Sequence, residues 1–240
     1  MSQRLRFWVV LLAALAGCAV TLSLARWQMS RAAQKEAIAA AIETQGARAP
    51  VDGPVLAAAS EPALLMHRVV QLRGQWLPHR TVFLDNRQMN AKQGFYVVTP
   101  LQLEGSAAVV LVQRGWAPRN FENRSALPVV STPGGVVALQ GRVAPSPAKL
   151  LALGAPEQGA IRQNLDLAQF RVETGLPLLA VSVLQIGPAS EGLLREWPAV
   201  DSGAGKHHGY AFQWLALAGL IALLYVWFQI VRPLRSRRSR

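Results

Sequence analysis

The sequence predicts a membrane protein in which two transmembrane α-helices flank a β-rich (α+β) extracytoplasmic domain, its sheet antiparallel and either barrel-like or a sandwich. Three observations predict it. Charged residues fill only 16% of the 240 positions, against about 25% in an average soluble domain. Two long charge-free runs lie near the ends of the chain, each long enough to cross a bilayer. Between them, short β-branched runs alternate with turn signals.

Residues 1–6 are a short tail carrying Arg4 and Arg6. Residues 7–25, FWVVLLAALAGCAVTLSLA, form the first span, which at about 1.5 Å per residue covers a hydrocarbon layer of about 30 Å. Residues 26–46 are rich in Ala, Gln, Lys and Glu, so the helix is expected to continue beyond the bilayer until Gly46 ends it. Trp27, Arg31 and Lys35 fall four apart on that extension and share a face. Residues 47–62 read as a linker, with Pro50, Asp52, Gly53 and Pro54.

Residues 63–209 carry the β pattern, with strands expected at 68–73, 81–84, 95–99, 109–113, 136–140 and 180–186. Pro133-Gly134-Gly135 marks one turn between them. A short helix is expected up to Thr174, capped by Asp166 and ended by Gly175. Residues 210–231 form the second span, broken only by the uncharged Gln213 and Gln229 and aromatic at both ends, as at a membrane interface. Residues 232–240 are a basic tail.

The net charge of +12 is unevenly placed. Arg4, Arg6, Arg232, Arg235, Arg237, Arg238 and Arg240 hold seven of the 25 basic residues, leaving the interior eighteen against 13 acidic ones. A nucleic-acid binder would gather its basic surface on the folded module, so that class is excluded. Five arginines follow the second span while Lys206 is the one nearby base before it, which places both termini in the cytoplasm. Cys18 is the single cysteine, too few for an internal disulfide or a multi-cysteine metal site. Leu15-Ala16-Gly17-Cys18 also resembles a lipoprotein cleavage site, but the apolar run continues past it to Ala25, where a lipidated chain would turn polar.

Catalytic signatures are missing: there is no G-x-S-x-G elbow, no H-E-x-x-H helix and no phosphate-binding glycine loop. Nothing in the spacing of Asp85, Glu104, Glu122 and Asp166 gathers them into a carboxylate pair. The chain is therefore read as a non-enzyme. Met29, Met66 and Met89 are scattered, unlike the clustered soft ligands of copper(I). His67 and His79 lie in or beside strand patterns and read as ordinary side chains. His207 and His208 stand just above the second span. If that helix begins slightly early, His207, Tyr210 and Trp214 share a narrow arc, imidazole above aromatic rings. The arc suits an iron porphyrin as well as an ordinary interfacial cluster.

Four segments between the two spans then carry a resemblance. They are Arg26-Trp27-Gln28 with Arg31 and Lys35; Leu84-Asp85-Asn86-Arg87 followed by Gly94-Phe95-Tyr96-Val97-Val98-Thr99-Pro100; Arg114-Gly115-Trp116; and His207 through Tyr210 to Gln213-Trp214. In this order they resemble the surfeit-locus family of cytochrome c oxidase assembly factors.

The resemblance implies a bacterial inner (plasma) membrane protein with its main domain in the periplasm, which holds haem a and assists its insertion into the largest subunit of cytochrome c oxidase. Haem a synthase is a second implied partner. His207 is the implied haem ligand, Tyr210 and Trp214 line the site, and the adjacent His208 ranks behind it. Trp27, Arg31, Arg87 and Arg114 are candidate partner-binding residues, the last two also readable as structural. Two alternatives stand beside this: a scaffolding factor that never touches haem, and a lipid-anchored extracytoplasmic binding module.

Overall fold

In the computed structural model, which describes residues 2–123, 126–151, 159–198 and 203–238, the chain divides into a helical unit built from its two ends and a sheet unit, Ala41–Pro198. The helical unit pairs α1 (Gln3–Gly46) with α4 (Ala204–Val226). Both are long and apolar enough to cross a membrane by length and composition. α1 runs unbroken from the first apolar stretch to Gly46, as the sequence predicts. α4 starts six residues before the expected 210, and its helical path continues through a π-helical turn (Trp227–Val231) into α5 (Arg232–Arg238). Pro233 explains the wide turn: a proline cannot donate to the carbonyl one turn back and its ring crowds it.

The covered positions of the hairpin repeat every three and four residues. On α1 they include Ala14, Cys18, Thr21, Ala25, Gln28, Ala32, Lys35 and Ala39, with Gly17 and Leu24 flanking them; on α4, Ala204, His207, Ala211, Trp214, Ala218, Ile221 and Tyr225. A 3.5-residue repeat is the signature of a coiled-coil seam. The helices run antiparallel, since Cys18 Sγ lies 3.6 Å from the Ala218 carbonyl near one end and Gln28 meets His207 toward the other. Ala25, Ala32, Ala204, Ala211 and Ala218 are almost fully covered, and small side chains are what allow two helices in lipid to approach closely.

Among the described residues the sheet unit holds eight strands: β1 (Val51–Asp52), β2 (Val69–Trp76), β3 (Val82–Met89), β4 (Lys92–Leu103), β5 (Val109–Pro118), β6 (Val136–Ala144), β7 (Ile161–Arg162) and β8 (Leu178–Gln185). Five of them close a ring. β2 pairs with β6, β6 with β8, β8 with β5, β5 with β4, and β4 returns to β2 at Gly74–Trp76. Directions cannot alternate around a ring of five, so at least one neighbouring pair must be parallel; here it is β5 with β8. The sheet is therefore barrel-like but mixed, not wholly antiparallel. β1 and β7 add short parallel pairings to β2 and β3. Gly74 permits the closure, because any side chain there would run into the Gln102 carbonyl.

One apolar cluster, including Leu72, Trp76, Leu101, Leu103, Val112 and Val183, fills the ring. A second lies between the β3–β5 face and α3 (Leu167–Thr174), through Leu84, Leu111 and Phe170. β5 is thus buried along nearly its whole length, which explains its continuous apolar run. α3 forms as predicted: Asp166 accepts from the amides of Ala168 and Gln169, and Gly175 takes the left-handed cap. The segment read as a linker is folded instead. Val51 pairs with Val70, and Leu56 of α2 (Gly53–Ala58) is wholly buried in the ring's core.

Candidate functional site

The histidine pair sits in the second turn of α4. His207 is half-buried in the seam, and its Nδ1 lies 2.6 Å from Gln28 Oε1 of α1. An amide oxygen only accepts, so Nδ1 is the donor in this contact, and in the neutral tautomer that donates there Nε2 is the nitrogen with the lone pair. His208 is exposed and its Nε2 meets Glu36 Oε1 at 2.8 Å. Trp214 lies two turns further along the same seam, half-buried, whereas Tyr210 points away from it with 53% of its surface exposed. The helix therefore brings His207 and Trp214 onto one line and leaves Tyr210 beside it. Among the described residues no group of three His, Cys, Asp or Glu side chains gathers to cage a bare ion.

Trp27 is exposed, with the Arg31 guanidinium 5.9 Å from its ring. Lys35 turns into the seam, parting from the face it was expected to share with them.

The remaining motifs meet on the barrel, and two of them are β-bulges. Asp85 and Asn86 together oppose Phe95, with Asn86 at φ +59°, so the segment expected to close β3 kinks it instead. The Asp85 carboxylate accepts from the Asn86 amide at 2.7 Å and pairs with Arg119 at 3.1 Å. On β5, Val97 opposes Gly115 and Val98 opposes Gln113, which makes Arg114 the extra residue. The strand expected over 109–113 continues to Pro118 because the bulge absorbs the irregularity.

These kinks interlock the segments. Trp116 is buried and its Nε1–H donates to the Arg87 carbonyl at 2.9 Å. Gly94 lies beneath it, where an added Cβ would stand 2.5 Å from the indole ring. The Arg87 guanidinium packs 5.8 Å from the Tyr96 ring centre, and Tyr96 meets Trp197 edge-on at 5.1 Å. Arg114 is fully buried, donating to Thr132, the Ser131 carbonyl and Glu191, with Trp76 4.7 Å below it. A guanidinium so enclosed is not presented to a partner, and its role in this fold is structural. Arg87 is 5% exposed and lines a cavity of about 570 Å³ with Gln88, Gln93 and Tyr96.

The SURF1 family model matches residues 15–219, from the first third of α1 into the last third of α4. The chain belongs to the SURF1 family. A SURF1-like protein of Rickettsia felis is 32% identical over 108 residues, 44% of this chain and 43% of that one. Another, from Rickettsia conorii, is 27% identical over 215 residues, 86% of this chain and 85% of the relative. The yeast (Saccharomyces cerevisiae) cytochrome oxidase assembly protein SHY1 is 28% identical over 97 residues, 40% of this chain and 25% of its own length. Gln28 and Glu36 were not singled out as site residues from sequence. The signal that finds Gln28 is the seam repeat, which sets it opposite His207.

Proposed function

We propose that this chain is a cytochrome oxidase assembly factor that holds haem a and assists its insertion into the largest oxidase subunit. Family membership and the name of the yeast relative, a cytochrome oxidase assembly protein, support the assembly role. The haem reading rests on one observation: the 2.6 Å contact between His207 Nδ1 and Gln28 Oε1. A second hydrogen-bonding partner on the far ring nitrogen is what fixes the tautomer of a metal-ligating histidine.

The donor set fits the group. A lone oriented imidazole suits a metal that brings most of its own ligands, and haem supplies iron already held by four pyrrole nitrogens. His207 would offer Nε2, Gln28 would hold the ring in place, and Trp214 would give an apolar surface along the seam. The chain itself makes and breaks no bond. Its two helices would span the bacterial inner membrane with the arginine-rich end in the cytoplasm and the barrel in the periplasm. The largest oxidase subunit is the recipient, and haem a synthase a candidate donor.

The test is the absorption spectrum of the full chain purified from cells that make haem a. Wild type should carry a Soret band, His207→Ala should lose it, and Gln28→Leu should keep it with affinity lower by about tenfold or more. A folded, colourless wild type from such cells overturns the haem reading and leaves a scaffold.

A further inference from the structure

Among the described residues three arginines are buried as whole residues: Arg87, Arg114 and Arg162, at 5%, 0% and 7% exposure. Two of them hold a glutamate. Arg114 pairs with Glu191 at 2.9 Å and Arg162 with Glu173 through both of its terminal nitrogens. A buried guanidinium needs such a partner, because removing a charge from water costs more than neutral hydrogen bonds return.

Arg87 has none among the described residues. One terminal nitrogen donates to the Gln163 carbonyl at 2.8 Å, the Tyr96 ring lies against it, and its Nε has no partner. Burial holds this guanidinium below its ordinary pKa range, with Tyr96 opposing the shift. It also lines the 570 Å³ cavity, beside the buried and unpartnered Oε1 of Gln93 and the apolar side chains of Leu150 and Leu151. The cavity therefore combines a desolvated single positive charge, amide side chains and an apolar rim.

We propose that this cavity is a carboxylate-binding site, with Arg87 as the residue that recognises the acid. A planar guanidinium matches a carboxylate in shape, and one cation neutralises one carboxylate where a phosphate dianion would stay half-charged. The acid arrives on an apolar body, as the rim requires: an acidic side chain of a partner polypeptide, or a small organic acid.

The experiment is calorimetric titration of the full chain in detergent with four probes: a blocked peptide holding one glutamate between leucines, its glutamine counterpart, glutarate and inorganic phosphate. The glutamate peptide should bind saturably, and the glutamine peptide about tenfold more weakly or worse. Arg87→Met should abolish the difference between them, and Arg87→Lys should restore only part of it. Peptide binding stronger than glutarate assigns the acid to a polypeptide; equal binding assigns it to a small molecule. Arg87→Met should fold, since Trp116 bonds to the main-chain carbonyl of residue 87 and not to its side chain. A measurement on the unaltered chain is independent of that: the nitrogen resonance of Arg87 Nε should shift on titration with the glutamate peptide. Equal affinity for the two peptides, preference for phosphate, or an Arg87 resonance that stays still would overturn the proposal.

Discussion

Along the helical hairpin the most deeply covered positions are mainly alanine, with Gln28, His207 and Lys35 set among them, whereas the barrel is filled by Leu, Val, Trp and Phe and pairs its buried Arg114 and Arg162 with acids. The two regions hold polar groups by different means. In the barrel each bulged or buried residue is fixed from several sides, as Arg114 is by Thr132, Ser131, Glu191 and Trp76. In the hairpin His207 meets Gln28 across a seam of mostly small side chains. A site that must accept and release a cargo is better placed in the second kind of setting, where little packing must be undone. Most motif residues of the barrel, Asp85, Asn86, Gly94, Arg114 and Trp116 among them, are locked into its shape; the hairpin histidine is held by less.

The largest break in this comparison should come from the barrel's most crowded point. Gly94→Ala places a methyl group against the Trp116 ring and the Ala117 carbonyl, and should cost about 3 kcal/mol or more, read as loss of the folded barrel in denaturant titration. Glu191→Gln weakens the neutralisation of Arg114 and also the 3.4 Å contact with Arg195, and should cost about 2 to 3 kcal/mol. A drop below about 0.5 kcal/mol in either variant would mean that the interlock is not what holds the barrel.

The hairpin should respond differently. Ala32→Leu overfills a seam position that is fully covered, and should cost about 1 to 3 kcal/mol. Hydrogen exchange checks where: amides of α1 and α4 should exchange faster while those of β4 and β5 keep their protection. Equal acceleration in both regions would show that they do not respond independently.

The smallest effect concerns pH. The hydrogen bond from Arg162 holds the Glu173 carboxyl below its ordinary value of 4.5, with smaller help from the charges of Arg162 and Arg80. A depressed carboxylate stabilises the fold above its unfolded value, and that share is lost as pH falls through its lower folded value. Glu173→Gln should therefore flatten the acid limb of barrel stability below about pH 4.5, and leave the pH profile above pH 6 unchanged in shape.

Much of the architecture was readable from single residues. Asp166 and Gly175 bounded α3, and the two apolar runs and the coarse strand positions stood out by composition. What escaped depended on partners distant in sequence. Asp85-Asn86 and Arg114-Gly115 look like strand ends because turn formers and glycine usually are, but paired against β4 they become bulges. The segment at 47–62 looked like a linker because its few apolar residues, Val51 and Leu56, show their role only against β2 and the ring's core. His207 was found as a candidate, but Gln28 as its partner depends on antiparallel register between helices that lie far apart in the chain.

The parallel pairing of β8 also has a bearing on how the molecule is made. β8 is the last strand to emerge and inserts between β5 and β6, so both of those stay open-edged until synthesis has passed residue 185. Unpaired edges invite aggregation and late, long-range pairing is slow. The keystone arrives shortly before the second apolar helix, so a nascent chain is at its most vulnerable just before that helix emerges.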